Sequence, residues 1–418
     1  MIKQLAEISG NMIASKYLIL SSVEKTSLND IGNGYVREFI NNGARFIDYE
    51  DAYLKLGSKK IYEFIVKNID ENDIEVLIYQ ADSTDFRFSM EFFLLLQKKV
   101  FVVMMVGDSE YYFDSRDVYY GQCADLVVVY NYSSRYRFEH YGINAISFYS
   151  SYDKNKYFKI NGIKKDIEIS FVGQITNYED RGEYIDYVVA NGMPIEIFGL
   201  GSKNGQVALS QMVNIFNKTK ININFTGITT KNALSKRLNI DSRLKQMKGR
   251  MTEIALCGGF VLSESVPGIN EVFCMDKEIA VFHTKKDFFE KIKYYLEHEE
   301  ERESIAGRGY ARALRDYEIS AAIPGLINKI EDFRKVKEKR SQEVCYIDSH
   351  FIKNYTTFRV KMIVKFLRLR KWRLLYEELL VIIKNRRLNL VKASGILLFG
   401  IFPFLKTYYL RVNSALKH

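Results

Sequence analysis

The sequence predicts an α/β protein of two doubly wound domains, followed by a basic helical extension at the C-terminus. Short apolar segments alternate with helical patterns from residue 16 to about residue 320, an order that is typical of parallel sheets covered by helices. Val100–Val106 contains no polar residue, as expected of a strand buried on both faces. A chain of 418 residues is also long for a single hydrophobic core.

The first domain is predicted to span residues 1–160 and opens with a βαβ unit. Lys16–Val23 has the composition of a strand, Tyr35–Asn42 has helical periodicity, and Gly43–Asp48 is typical of a turn and a strand. The remaining elements predicted here are helices over 59–68 and 90–98 and strands over 75–79, 100–106, 124–130 and 145–149.

The second domain is predicted to span residues 161–335. Its first strand, Ile167–Val172, ends at Gly173, and the strand Ile195–Gly199 leads into the turn Gly199-Leu200-Gly201. The later elements are helices over 181–191, 210–218 and the 240s to 256, strands over 220–225, 260–262 and 278–282, and a long charged helix. The two halves therefore repeat one architecture, without a short-period internal repeat.

Composition favours an intracellular globular protein. Apolar residues make up 47% of the chain and charged residues 27%. The four cysteines form no C-x-x-C pair, which argues against a zinc site or a disulfide scaffold and fits a reducing compartment. The N-terminus lacks a continuous apolar core of signal-peptide length. We therefore expect a cytoplasmic protein and, without a convincing D-x-D or similar ligand spacing, no metal and no cofactor.

The positive charge of the chain is concentrated in the predicted extension, residues 336–418. Residues 353–418 hold 15 Lys or Arg and two acids, so this segment carries +13 while residues 1–352 carry −3. The uncharged run Ala393–Leu405 is 13 residues long, short of the roughly 20 that a spanning helix needs. A basic segment on a near-neutral body fits contact with an anionic membrane surface. Packing of these helices onto the first domain is the alternative.

The stretch Arg250–Tyr317 carries the strongest functional pattern. A helix with Glu253 ends at Cys257-Gly258-Gly259, a short strand follows, and the turn Val266–Asn270 leads to Glu271. This order can bring a carboxylate, a glycine turn and a helix N-terminus to one edge of a sheet, where open α/β sheets bind ligands. Backbone N–H groups at a helix start suit a phosphate, and a carboxylate suits a ribose diol.

Four segments in this region also carry a family resemblance: R-x-x-E-I-x-x-C-G-G, P-G-I-N-E-V-F, K-E-I-A-V-F and Y-L-E-H-E-E-E-R-E-S-I-A-x-x-G. In order and spacing they resemble the C-terminal half of nucleotide-sugar glycosyltransferases with two Rossmann-like domains, the GT-B fold, and above all the branch named after the spore-maturation protein CgeB. The resemblance is strong over 165–320, faint over 15–160 and absent after about 340. It implies transfer of a sugar from a nucleotide-sugar donor to an acceptor hydroxyl.

The same resemblance implies roles for individual residues. Glu253 would bind the donor ribose, although a solvent-facing helix acid is the alternative. Arg250 would face the diphosphate, with Lys248 beside it, while Lys245 stands where many retaining relatives have a second acid, which leaves the stereochemistry open. The other donor-binding candidates are Gly173 and Arg181, a turn at Gly199 beside the base, the glycines Gly258 and Gly259, and the loop Gly268, Ile269, Asn270 and Glu271.

The first domain is expected to supply the acceptor site and any catalytic base. Asp30 lies in a glycine-rich turn after the first strand, and Asp82 and Asp108 follow later strands, where catalytic groups collect in α/β sheets. Aspartate is also a common turn former at such positions. The catalytic candidates are thus Asp30, Asp82, Asp108 and Arg250.

Together these patterns predict a metal-independent glycosyltransferase of cell-surface glycan synthesis, peripheral on the inner face of the membrane through residues 353–418. Its partners would be a nucleotide-sugar donor and a glycan or lipid-linked acceptor. A nucleotide-sugar epimerase and a non-catalytic nucleotide-sugar-binding scaffold remain alternatives. A nucleic-acid partner is not expected, although Trp372 and Tyr376 interleave with basic residues. The sugar, acceptor, linkage and oligomeric state stay open.

Overall fold

A computed structural model describes residues 13–22, 30–80, 84–175, 179–228, 245–336 and 347–405, except the side chains of 30–33, 179 and 180. In the first domain the strands are β1 (Tyr17–Ser21), β2 (Arg45–Asp48), β3 (Val76–Gln80), β4 (Phe101–Val106), β5 (Leu126–Val129) and β6 (Ala145–Ser147). Its helices are α1 (Asp30–Asn41), α2 (Tyr49–Glu71), α3 (Met90–Gln97), α4 (Ser109–Tyr112), α5 (Val118–Gly121) and α6 (Tyr132–His140), with a π-helical turn over Phe113–Asp117.

The strands of the second domain are β7 (Ile167–Val172), β8 (Glu196–Phe198), β9 (Thr219–Asn224), β10 (Val261–Glu264) and β11 (Ala280–Phe282). Its helices are α7 (Glu179–Ala190), α8 (Leu209–Lys218), α9 (Arg250–Leu256), α10 (Ile269–Val272), α11 (Lys285–Glu297) and α12 (Glu299–Asp316). Four helices follow: α13 (Ile319–Lys335), α14 (Ser349–Arg368), α15 (Trp372–Asn385) and α16 (Leu390–Ile401).

Both sheets are parallel and share one strand order. The first runs β2-β1-β3-β4-β5-β6 and the second β8-β7-β9-β10-β11. In each sheet the second strand is added on one side of the first strand and the later strands on the other side. The winding therefore reverses between β1 and β3 in the first sheet and between β7 and β9 in the second. The prediction of an α/β protein with two doubly wound domains is confirmed. Ligands of such sheets bind outside the carboxyl ends of the strands at this reversal.

The helix α13 crosses back to the first domain, although the sequence places residues 319–335 in the second. Ile323, Leu326 and Ile330 are buried in the core formed by β1, β3 and α1. Tyr17 donates a hydrogen bond of 2.6 Å to Glu331. The chain crosses between the domains twice, and the two crossings run side by side, since Tyr152 exchanges backbone hydrogen bonds of 3.0 Å with Tyr317 and Ile319.

The C-terminal helices also pack on the first domain. Phe351 and Phe366 of α14 are buried in the core that covers the other face of the first sheet. Arg359 of α14 is fully buried and donates to the hydroxyl of Tyr53, at 2.8 Å, and to Glu378 of α15, at 3.3 Å. Of the two alternatives for residues 353–418, packing on the body is therefore observed for α14 and for the inner face of α15.

Gly199 marks the closest approach between two strand ends in the second domain. Its φ is 141°, and a Cβ built there would lie 2.2 Å from the carbonyl oxygen of Gly173. Gly199→Ala should therefore force β7 and β8 apart. Gly205, with φ 66° and open space around it, is the matched control, because alanine there incurs only the left-handed conformation, about 1–2 kcal/mol. Urea unfolding should show the larger loss for Gly199→Ala, and equal losses would contradict the steric account.

Candidate functional site

The carboxyl ends of β7, β9 and β10 meet beside the reversal point of the second sheet. Gly173 follows β7, Thr226 lies two residues after β9, and Glu264 is the last residue of β10. Because the strands are parallel, the loops that follow them share one edge. Of the predicted donor-binding residues, Gly173 and Gly199 lie at this edge, as does the loop that begins at Gly268.

Glu264 organises this edge, and the sequence did not single it out. One carboxylate oxygen accepts hydrogen bonds from the backbone N–H groups of Thr226 and Gly227, at 2.9 and 3.1 Å, and from the Thr226 hydroxyl at 3.1 Å. The other oxygen pairs with the Lys245 ammonium at 3.0 Å. The available signal was an acid at the end of a buried strand. Lys245, which also donates to the carbonyl of Ser265 at 3.0 Å, is thus neutralised by Glu264.

Two cations, Arg181 in the helix after β7 and Lys248 after β9, follow strands that end at this edge, and their charges interact. Arg181 is largely buried, donates to the carbonyl of Gln174 at 2.8 Å and lies 5.6 Å from the ring centroid of Phe171. The pKa of Lys248 is lowered from its ordinary value, chiefly by burial and further by the charge of Arg181. Two partly desolvated cations that repel each other form a favourable place for an anion.

The first domain faces these cations with Asp108. This residue follows β4 and has a left-handed backbone, with φ 52°. Gln246 donates to its carboxylate at 2.8 Å across the domain boundary, and Lys248 donates to Gln246 in turn. The charge of Asp108 acts against the lowering of the Lys248 pKa. Among the three predicted aspartates, Asp108 is therefore the one that the described structure brings to the cation pair.

The positions of the other two aspartate side chains are not described by the structure. Asp82 lies outside the described residues. Asp30 is the first residue of α1, and its side chain is also outside them. Their assignment as catalytic candidates stays a prediction.

Arg250 and Glu253 form an ion pair within the first turn of α9. The Arg250 guanidinium also lies against α8, 2.8 Å from the Met212 sulfur and 5.5 Å from the ring centroid of Phe216. Arg250 is thus directed toward α8, and its charge is paired with that of Glu253. This geometry favours Lys248 and Arg181 over Arg250 as the cations for a phosphate. The role of Glu253 at a ribose stays a prediction.

Gly258 and Gly259 lie at the opposite edge of the sheet from the other candidates. They connect the end of α9 to the start of β10, and a helix that precedes a parallel strand returns the chain to the amino end of the sheet. Gly258 has φ 68°, and a Cβ on Gly259 would lie 2.8 Å from the Asn222 amide nitrogen. These glycines therefore serve a tight turn away from Gly173 and Gly199, and their assignment to the donor site stays a prediction that this position does not support.

The loop Gly268–Glu271 contacts the first domain. A Cβ on Gly268 would lie 2.9 Å from the Cβ of Tyr132. Ile269 is buried in the core, whereas Asn270 and Glu271 are exposed. Glu271 and Tyr132 line a cavity of about 310 Å³ near the interdomain crossings. Ile269 thus serves packing, and only the outer part of this loop is available to a ligand.

The C-terminal helices cover the carboxyl edge of the first sheet. Glu50, which follows β2, accepts from Ser22 after β1 at 2.7 Å, from Arg87 after β3 at 2.6 Å and from Lys365 of α14 at 3.1 Å. Burial raises the pKa of Glu50, but Arg87, Ser22 and Lys365 outweigh it, so the pKa is lowered. The edge where an acceptor would enter is therefore built partly from residues beyond 347.

Two further features bear on the predicted chemistry and location. In the described ranges, no three His, Cys, Asp or Glu side chains are grouped so that they could hold a metal ion. Within the same part of the chain, no helix is both long and apolar enough to cross a membrane.

Comparison with known proteins adds a family and a fold. The family model described as glycosyl transferase-like matches residues 177–326. No curated protein sequence matches the chain.

Solved structures match over most of the chain. Anabaena HepE in complex with UDP aligns at TM-score 0.51 and 11% identity over 76% of this chain and 100% of that one. Sucrose-phosphate synthase from Thermosynechococcus elongatus aligns at TM-score 0.52 and 10% identity, over 76% of this chain and 99% of that one. A glycosyltransferase from Rickettsia africae aligns at TM-score 0.52 and 10% identity, over 77% of this chain and 100% of that one. At sequence identities of 10–11%, structural similarity shows a shared fold and no more. The chain therefore has the GT-B fold, and its residues 177–326 are similar to the glycosyl transferase-like family.

Proposed function

We propose that the protein is a glycosyltransferase that moves a sugar from a nucleotide-sugar donor to an acceptor hydroxyl. The observation that carries this proposal is the pair of partly desolvated cations, Arg181 and Lys248, at the reversal point of the second sheet. A diphosphate is an anion that fits two neighbouring cations, and it is the leaving group of such a transfer. HepE, which shares the fold, is solved in complex with UDP and in complex with UDP and glucose.

Arg181 and Lys248 would hold the diphosphate and stabilise the charge that develops on it as the glycosidic bond breaks. Glu253 would accept hydrogen bonds from the ribose hydroxyls, with Arg250 fixing the orientation of its carboxylate. With two cations for the leaving group, the transfer is proposed to proceed without a metal. The turn at Gly199 would lie beside the base.

Asp108 is the proposed base for the acceptor hydroxyl. It belongs to the first domain, yet it is connected through Gln246 to Lys248 of the donor side. Asp30 and Asp82 remain the alternatives for this role. The acceptor is proposed to be a glycan or lipid-linked precursor of the cell surface, with the protein on the inner face of the membrane.

A panel of nucleotide sugars scored by thermal shift tests the proposal, because a ligand that binds only the folded state raises its stability. We expect at least one donor to stabilise the full-length protein and to release its nucleotide when an acceptor is added, with EDTA having no effect. Lys248→Met should abolish the shift, whereas Lys277→Met, at an exposed lysine of the same domain, should keep it. Stabilisation by no donor would refute the proposal. Donor isomerisation without an acceptor would identify an epimerase instead.

The lowered pKa of Lys248 makes nucleotide binding dependent on pH. In the free protein this lysine loses its proton at a lower pH than an ordinary lysine, chiefly because it is buried. A bound diphosphate favours the protonated form, so affinity for UDP should fall as pH rises through the lowered pKa, with proton uptake on binding. Titration calorimetry in buffers of different ionisation enthalpy measures that uptake. Lys248→Arg should bind without it, because a guanidinium stays protonated, and equal uptake in both proteins would assign the proton to another group.

A further inference from the structure

The inner faces of α14 and α15 pack on the first domain, whereas α16 packs on α14, where the backbone N–H of Asn389 donates to the Thr357 hydroxyl at 3.1 Å. Besides the Arg359 contacts, Tyr53 donates to Glu378 at 2.6 Å, and Lys371 donates to the carbonyl of Leu54 at 2.7 Å. Glu378 is fully buried and Glu377 is turned toward Gly57 of α2. These are the two acids of residues 349–405, so both point inward.

The outer surface of the same helices is apolar. On α15 a stripe at helical spacing is exposed, formed by Trp372, Tyr376, Leu379, Leu380 and Ile383. On α16 and the residues after it the exposure is larger, with Val391 at 85%, Leu390 at 72% and Phe404 at 66%. Leu397, Leu398, Ile401 and Phe402 are exposed as well. Groups of exposed apolar side chains of this size mark a place of interaction.

Basic side chains are exposed on the same helices. The exposed ones on and between α14, α15 and α16 are Lys353, Lys361, Arg368, Arg370, Arg373, Lys384, Arg386, Arg387 and Lys392. Since both acids face inward, the outer surface combines apolar side chains with positive charge alone. Each Lys or Arg near an anionic membrane adds to the attraction, and salt weakens that contribution.

We propose that the outer faces of α15 and α16 dock on an anionic lipid surface, with α16 lying in the interface. A helix of 12 residues is about 18 Å long, shorter than the hydrocarbon core of about 30 Å. Exposed leucine and valine would enter the headgroup boundary while arginine and lysine contact lipid phosphates. The inner faces of α14 and α15 cover the carboxyl edge of the first sheet, so docking sets the proposed acceptor edge beside the lipid.

This inference deepens the proposed function, since it assigns a lipid-linked class of acceptor, but docking itself is measured without any transfer. The full-length protein is sedimented with vesicles of neutral phospholipid alone or with one third anionic phospholipid. We expect binding to the anionic vesicles, weak binding to neutral ones and only partial release in 0.5 M salt.

Val391→Asp tests the apolar contact, and Val336→Asp is its matched control, because Val336 is 73% exposed at the end of α13 and outside this surface. Val391→Asp should lower vesicle binding at least fivefold and leave UDP binding unchanged, while Val336→Asp binds vesicles like the unaltered protein. Arg386→Gln with Arg387→Gln should weaken binding to anionic vesicles, in contrast to Lys277→Gln with Lys286→Gln.

Absence of vesicle binding by the full-length protein, or equal binding by the two aspartate variants, would overturn the docking surface. A dimer in solution that Val391→Asp converts to a monomer, without effect on vesicles, would also overturn it and assign the surface to a second copy of the chain. Vesicle binding that persists while no nucleotide sugar binds would reject the proposed enzyme and keep the docking surface.

Discussion

Arg359→Ala is expected to destabilise the protein by about 3–5 kcal/mol, the range observed when one partner of a buried ion pair is removed. The guanidinium is fully buried and contacts Glu378, the Tyr53 hydroxyl and the carbonyl of Arg87. Its removal leaves the Glu378 carboxylate without a cation in a site that excludes water. Chemical unfolding followed by circular dichroism measures the loss.

Two comparisons show whether the buried charge is the cause. Arg359→Met with Glu378→Gln removes both charges and should be less destabilising than Arg359→Ala. Lys335→Ala interrupts an exposed ion pair with Asp332 and should change stability by no more than about 1 kcal/mol. If Arg359→Ala unfolds at the same denaturant concentration as the unaltered protein, the C-terminal helices do not pack on the first domain as described.

Lys248→Met should raise the dissociation constant for UDP by about 10- to 150-fold, which corresponds to the 1.5–3 kcal/mol of a hydrogen bond to a charged group. Arg181→Met should have an effect of similar size, because both cations would contact the same diphosphate. Methionine keeps the apolar stem of each side chain and removes the charge. Titration calorimetry with UDP gives the constants.

Arg250→Met is the informative comparison for the donor site. Its guanidinium pairs with Glu253 and lies against α8, so UDP affinity should change less than in Lys248→Met. A larger loss for Arg250→Met would restore the sequence-based preference for Arg250 at the diphosphate. Lys277→Met should bind UDP like the unaltered protein, since that lysine is exposed away from the sheet edge.

Two of the glycines proposed for donor binding lie where the sequence predicts them, although their role stays a prediction. Gly173 and Gly199 lie at the predicted sheet edge because a glycine after an apolar strand is a local signal. Gly258 and Gly259 lie at the opposite edge, which the sequence did not indicate, since a glycine pair looks the same at either end of a sheet. The glycine pair lies at the amino edge because the chain runs from the end of α9 into the start of β10.

By itself the sequence determined the two parallel sheets, their helices and the concentration of charge at the C-terminus, because periodicity and composition act through neighbouring residues. The tertiary structure decided which charges meet. Asp108 and Gln246 are 138 positions apart, and Glu264 meets Lys245 only where β10 ends beside the loop after β9. It also decided that Glu378 faces inward and Val391 outward. Such pairings depend on how separate elements pack, and no local pattern contains that information.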